Sequence, residues 1–443
     1  MRAHKSLLSI AVLVAISGSA LADNSTANVN QDGAKNNAVS VQEGANKSSV
    51  YIGQDGYGND ANAKQTANDS QLSVAQKGRG NDATSVQKGG FNNSSINQVG
   101  NGQTAKIEQG SQRNTASIGQ TYNTTTGAKI DQGFTYNGSY NKASVVQERN
   151  VYSGADVTQW GSGDTASTKQ TGNVNVQATV TQRDGNANNG SVKQEFNNGS
   201  NGVVSQRDTN NSNGSVVQRN TNSSEATVKQ SWGSNNLGTV NQQVSTGVTG
   251  SVTQERGNHN EGNVVQGLVS YSNATISQAW GDHNVANANQ SYGYDQKAAI
   301  AQVGSFNTAT TIQAGASDLQ ASVSQNGRNN QADVKQTNGY KMDATLQQNG
   351  DRNVASATQS GYKLEAEITQ KGDNNKATSL QTAAYNEETL LQHGNNNSAY
   401  VSQTGLGVAG QANVVAVSQF SNSQVANVVQ TGGAGNTATV TQR

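Results

Sequence analysis

Few side chains in this sequence are equipped for chemistry. The imidazoles are His4, His259, His283 and His393, and there is no cysteine to serve as a nucleophile or a soft metal ligand. His259 and His283 stand 24 residues apart, with Glu255, Glu261 and Asp282 nearby, a donor set that zinc or copper accepts. Two turn residues repeated by duplication give the same pattern, and that plainer explanation is preferred, so no metal ligand is assigned. The 29 acidic residues fall mostly in turn-like stretches and on outward strand positions. Neither a hydrolase triad nor a carboxylate pair in a pocket emerges, so the chain reads as a non-enzyme without a cofactor. Gly432-Gly433-Ala434-Gly435-Asn436 looks like the start of a calcium-binding nonapeptide, but it occurs once and lacks the aspartate.

The group that recurs with a fixed spacing is the primary amide. Glutamines follow one another from Gln31 to Gln442 in 35 intervals, of which 16 are 11 residues, 17 are 12 and two are longer. An amide offers two donors and one acceptor, so a column of stacked amides can bond upward and downward without a break. An inward glutamine outside such a column would leave buried polar groups unpaired, at roughly 1–3 kcal/mol each.

The residues before each glutamine define the element that carries it. Ala105-Lys106-Ile107-Glu108-Gln109, Ala366-Glu367-Ile368-Thr369-Gln370 and Ala438-Thr439-Val440-Thr441-Gln442 alternate small, aliphatic and amide side chains with polar ones. Period two predicts a β-strand with one buried and one wet face. An asparagine two residues before the alanine, as in Asn59-Asp60-Ala61, falls on the buried face too. Tetrads such as Asp55-Gly56-Tyr57-Gly58 and Lys371-Gly372-Asp373-Asn374 tolerate positive φ and predict tight turns. Two strands and two turns take about 23 residues, too thin a unit to bury its own face, so units must stack. The expected fold is all-β, a two-sided β-solenoid of about 18 coils. In the block 182–301 the spacing is a steady 12 and Gly often replaces Ala, as in Gly190-Ser191-Val192-Lys193-Gln194, which predicts wider turns.

Composition agrees. The chain has 443 residues, 29 basic against 29 acidic side chains and no proline. Proline would delete a ladder hydrogen bond in any strand, so its absence fits a chain that is strand nearly throughout. Zero net charge gives no electrostatic reason to bind nucleic acid. Charged residues in turns and on outward positions can act as gatekeepers against premature aggregation.

Residues 1–22 read as a signal peptide: Arg2, His4 and Lys5, an apolar run from Leu7 to Ile16, and an Ala20-Leu21-Ala22 cleavage site. The apolar run is too short to span a bilayer, and no later segment is apolar enough. A short segment, 23–30, then precedes repeats over 31–443.

The repeats themselves resemble a known family. The form Q-x-G-x-x-N-x-A-x-x-x-Q occurs eight times, from Gln31, Gln54, Gln76, Gln302, Gln325, Gln348, Gln370 and Gln392. It resembles the curlin repeat, the unit of curli fibre subunits. The resemblance implies a secreted protein that polymerises into extracellular amyloid fibres for biofilm matrix and adhesion, with itself as partner, a nucleating subunit beside it and an outer-membrane channel for export. It also implies an assembly ladder. In the first repeats this comprises Gln31, Asn36, Gln42, Gln54, Asn59, Gln65, Gln76, Asn81 and Gln87. In the later ones it comprises Gln302, Asn307, Gln313, Gln325, Asn330, Gln336, Gln348, Asn353, Gln359, Gln370, Asn375, Gln381, Gln392, Asn397 and Gln403. Familiar curlins carry about five repeats and a glycine-rich segment after the leader; this chain has over three times as many repeats and starts them almost at once. The ending Val440-Thr441-Gln442-Arg443 looks like that of the nucleating subunit, so a major and a nucleating type both stay open. A monomeric β-solenoid adhesin or ice-binding protein is a further alternative, with Thr308/Thr310 and Thr437/Thr439 in the register that ice binding wants. The insertions before Gln147 (Phe134, Tyr136, Tyr140) and before Gln419 predict bulged turns.

Overall fold

The computed structural model describes residues 24–133 and 138–443. The proposed leader, Phe134 and Tyr136 lie outside the described residues. The chain divides into two compact units, Met1–Asn211 and Ser212–Arg443. Both are built of β-strands, and no helix occurs among the described residues. Among the described residues there are 33 strands, of which Val285–Val303, Val354–Lys371 and Lys376–His393 run through a turn to form two arms of a coil. The result is about 18 coils of about 23 residues, the expected solenoid.

Within each unit every strand pairs in parallel with the equivalent strand one coil away, in register apart from a shift at Val99/Gly100. Ser49–Tyr57 pairs with Gln71–Arg79, which places Val50 on Leu72, Ile52 on Val74 and Gln54 on Gln76. In the second unit Thr308–Ala314 pairs with Gln331–Thr337, which places Ala309 on Ala332 and Gln313 on Gln336. Alternation then does what period two demands: in Asp60–Gln65 the residues Ala61, Ala63 and Gln65 are buried and Asp60, Asn62 and Lys64 are exposed. The core is therefore thin, one side chain from each arm, filled by Val74, Ile96, Ile107, Ile118 and their counterparts.

The turns carry the conformational load. Gly78 has φ +126°, and a Cβ there would lie 2.0 Å from the Gly100 carbonyl oxygen of the next coil, so only glycine lets the turns stack. The wider turns expected in the middle block are present. Their extra residue adds a single-residue bridge, Asn222 to Thr246 to Ser270, beside the two arms. The change from alanine to glycine there has a packing cause: Gly190 stacks on Ala166, and a Cβ on it would sit 2.6 Å from Val180 Cγ1 of the opposite arm. The insertion between Gln403 and Asn413 bulges outward, closed by an antiparallel bridge between Val408 and Gln411.

Candidate assembly site

Each arm of each unit carries one unbroken glutamine column. In the first unit Gln31, Gln54, Gln76, Gln98 and Gln120 follow one another, each Nε2 donating to the next Oε1 at 2.6–2.9 Å. The other arm holds Gln42, Gln65, Gln87 and Gln109 at 2.8–3.0 Å. In the second unit Gln302, Gln325, Gln348, Gln370 and Gln392 form one column, at 2.8–2.9 Å. Gln313, Gln336, Gln359, Gln381 and Gln403 form the other, at 2.8 Å throughout. From Gln54 to Gln403 these amides are buried, whereas Gln31 and Gln42 of the first coil are half-buried.

Past the first rung, Gln31, the second Nε2 hydrogen is used as well. Gln76 reaches the backbone carbonyl of Asp60 at 2.8 Å, and Gln370 that of Val354 at 3.0 Å. Each such glutamine thus ties its own arm to the facing one as well as to the next coil. All the ladder bonds point the same way along the chain, so each column has an acceptor end and a donor end. The longer insertions do not interrupt them: Gln120 bonds Gln147 at 2.8 Å and Gln392 bonds Gln419 at 2.9 Å across 27 residues.

The asparagines form columns of a different kind. Asn307, Asn330, Asn353, Asn375 and Asn397 are buried in register, but their amides mostly bond backbone rather than one another. Asn330 Oδ1 accepts the Asn353 N–H at 2.9 Å, and its Nδ2 donates to the Gly350 carbonyl at 2.7 Å. Asn353 and Asn375 repeat this with the Gly372 and Gly394 carbonyls. Direct amide pairs join Asn36, Asn59 and Asn81, at 3.1–3.2 Å. Glutamine therefore staples side chain to side chain, and asparagine staples each turn to the backbone of the next.

Substitutions in these columns show what sequence reasoning passed over. On the turn after Gln313, Gln336 and Gln359 the asparagine gives way to a small apolar cluster of Leu319, Met342 and Leu364 with Ala316. Asp164 takes an asparagine position and Glu388 an alanine position, and both are buried. Burial pushes Asp164 up to about 6 against the opposing Asn188 N–H, and pushes Glu388 up to about 8 against the Ser379 hydroxyl. The signal was present in the spacing, since Asp164 stands five residues after Gln159 and Glu388 four before Gln392.

His259 and His283 do stack at one turn. Their rings lie 4.8 Å apart and 9° from parallel, and Phe306 continues the stack at 4.8 Å and 5°. Parallel rings hold their nitrogen lone pairs in separate planes, which opposes shared coordination of one ion. No group of three or more potential metal ligands occurs among the described residues. Further stacks run along other turns: Arg256 lies between Trp232 and Trp280, at 5.1 and 4.0 Å from their centroids, and Arg113 between Phe91 and Tyr140.

An in-register parallel solenoid stapled by amide ladders defines a class of repetitive structural protein. The profile of the curlin associated repeat matches residues 343–370 and 364–405, so this stretch of the chain carries curlin repeats. No curated protein matches the chain.

Proposed function

We propose that this protein is a secreted structural subunit that polymerises end to end into extracellular curli-like fibres, serving biofilm matrix and surface adhesion. The observation that carries the reading is the polarity of the amide columns. The first coil presents Gln31 and Gln42 at the acceptor end, and the last presents Gln430 and Gln442 at the donor end. Among the described residues, Thr26–Ala34 and Thr437–Gln442 each pair on one side only, which leaves strand edges of the kind that template another chain. The inner face of Thr437–Gln442 is half-buried.

Growth adds the acceptor end of one copy to the donor end of another, glutamine on glutamine. The curlin repeat supports fibre formation as the purpose of that geometry, with a nucleating subunit and an outer-membrane export channel as its helpers. The assembly residues are the ladder glutamines and the asparagines Asn36 to Asn397 that staple the turns. Seeded growth of the purified mature chain, followed by thioflavin fluorescence, tests this. Sonicated fibres of the same chain should abolish the lag, and a chain that stays monomeric with or without seeds would refute it.

A further inference from the structure

Asp164 occupies an asparagine position but lacks the asparagine's donor. In the flanking coils Asn141 donates Nδ2 to the Gly161 carbonyl and Asn188 donates Nδ2 to the Thr209 carbonyl, both at 2.8 Å. Asp164 keeps the other half of the arrangement. Its N–H donates to Asn141 Oδ1 and its Oδ1 accepts the Asn188 N–H, each at 2.9 Å. Its Oδ2 stands where the amide nitrogen would be, buried and without a hydrogen-bond partner. A Cβ built on Gly161 would lie 2.3 Å from that Oδ2 and 2.3 Å from the Gly185 carbonyl oxygen, so the two oxygens flank one point. As a carboxylate the rung sets lone pairs against lone pairs, and as an acid it regains a donor.

Glu388 makes a second such rung in the other unit. It lies in register between Ala366 and Val415, at 2% exposure. Its Oε2 accepts the Ser379 hydroxyl of the facing arm, and its Oε1 has no partner. Charged groups on the surrounding elements all point outward and do not neutralise either acid. Around Asp164 these are Asp156, Lys142, Lys169, Arg183 and Asp184; around Glu388 they are Lys363, Glu365, Glu367, Lys376, Glu387 and His393.

We propose that Asp164 and Glu388 are proton-gated rungs, each closing its part of the stack when protonated and loosening it when ionised. Both acids titrate above their ordinary range because they are buried. A raised acid contributes stability that is full below its unfolded pKa and is lost as pH rises through the folded one. Stability therefore falls with rising pH, through about 6 for Asp164 and about 8 for Glu388. Acidification tightens the coils, and neutral or alkaline conditions hold the soluble chain looser. The device acts within one chain and stands apart from fibre growth.

The test uses the full soluble chain before any thioflavin signal develops, with guanidinium unfolding followed by circular dichroism from about pH 5 to about pH 9. The wild-type midpoint should fall as pH rises, Asp164→Asn should make the fall below about pH 6 shallower, and Glu388→Gln should remove the fall that continues to about pH 8. Asp184→Asn, an exposed acid, should leave both. An undiminished pH slope in the double variant D164N/E388Q would overturn the proposal. Should that variant fail to fold, infrared spectra of the wild type decide: a protonated-carboxyl stretch at pH 7 supports Glu388 as a gate, and ionised carboxylates alone refute it.

Discussion

Gln370 donates its amide hydrogen to Gln392 at 2.8 Å, and both side chains are fully buried. Gln348 reaches Gln370 in the same way from the coil before, at 2.9 Å. Removing one amide therefore orphans a donor above and an acceptor below, both sealed from water.

Gln370→Ala should cost about 1–3 kcal/mol for each orphaned group, whereas Glu367→Ala on the outward face should cost well under 1. Gln54→Ala and Lys64→Ala form the matching pair in the first unit. Guanidinium midpoints of the soluble chains and seeded elongation rates should both follow this order. Equal effects of inward and outward changes would remove the ladder from the assembly mechanism.

Glycine is required at some turns by its neighbours and at others only by backbone angle. Gly78→Ala would drive a Cβ to 2.0 Å from the Gly100 oxygen, whereas at Gly58, φ +66°, nothing lies within 4 Å. Gly58→Ala should cost about 1–2 kcal/mol for the left-handed backbone alone. Gly78→Ala should cost more and expose the neighbouring coils, measured as lost amide hydrogen-exchange protection.

The outward acids Asp343, Glu365 and Glu387 stack in one column of the second unit. Partial burial raises Glu365, and the charges of Asp343, Glu387 and Glu367 raise it further. Because the folded pKa is raised, this column favours stacking below the ordinary glutamate range and opposes it as pH rises through the folded value. Glu365→Gln should therefore speed elongation at pH 7 and leave it unchanged near about pH 3. Acceleration of equal size at both would show that charge is not the brake.

His283 stacks between His259 and Phe306. His283→Phe keeps a flat ring in the stack and should leave the unfolding midpoint within about 0.5 kcal/mol, whereas His283→Asp should lower it. Zinc should stabilise neither the wild type nor the variants. Zinc-dependent stabilisation lost on His259→Ala would make the pair a metal clip instead.

The sequence displayed much of this fold because a solenoid writes its geometry as a period. The glutamine spacing located the arms, and the alternation in Asp60–Gln65 assigned their buried face correctly. The wide turns of the middle block followed from one extra residue. What stayed hidden depends on neighbours in the next coil or on the facing arm. That asparagine bonds backbone while glutamine bonds glutamine is decided by side-chain length at a turn. That Gly190 must be small is decided by Val180 on the facing arm. Asp164 and Glu388 look like ordinary polar residues until the register places them inside.

Fibre diffraction from aligned, assembled protein tests end-to-end stacking most directly. Polymerisation by coil addition predicts a meridional reflection at about 4.7–4.8 Å and an equatorial one near about 10 Å. Ordered assemblies that lack the meridional reflection would contradict growth along the strand-pairing direction.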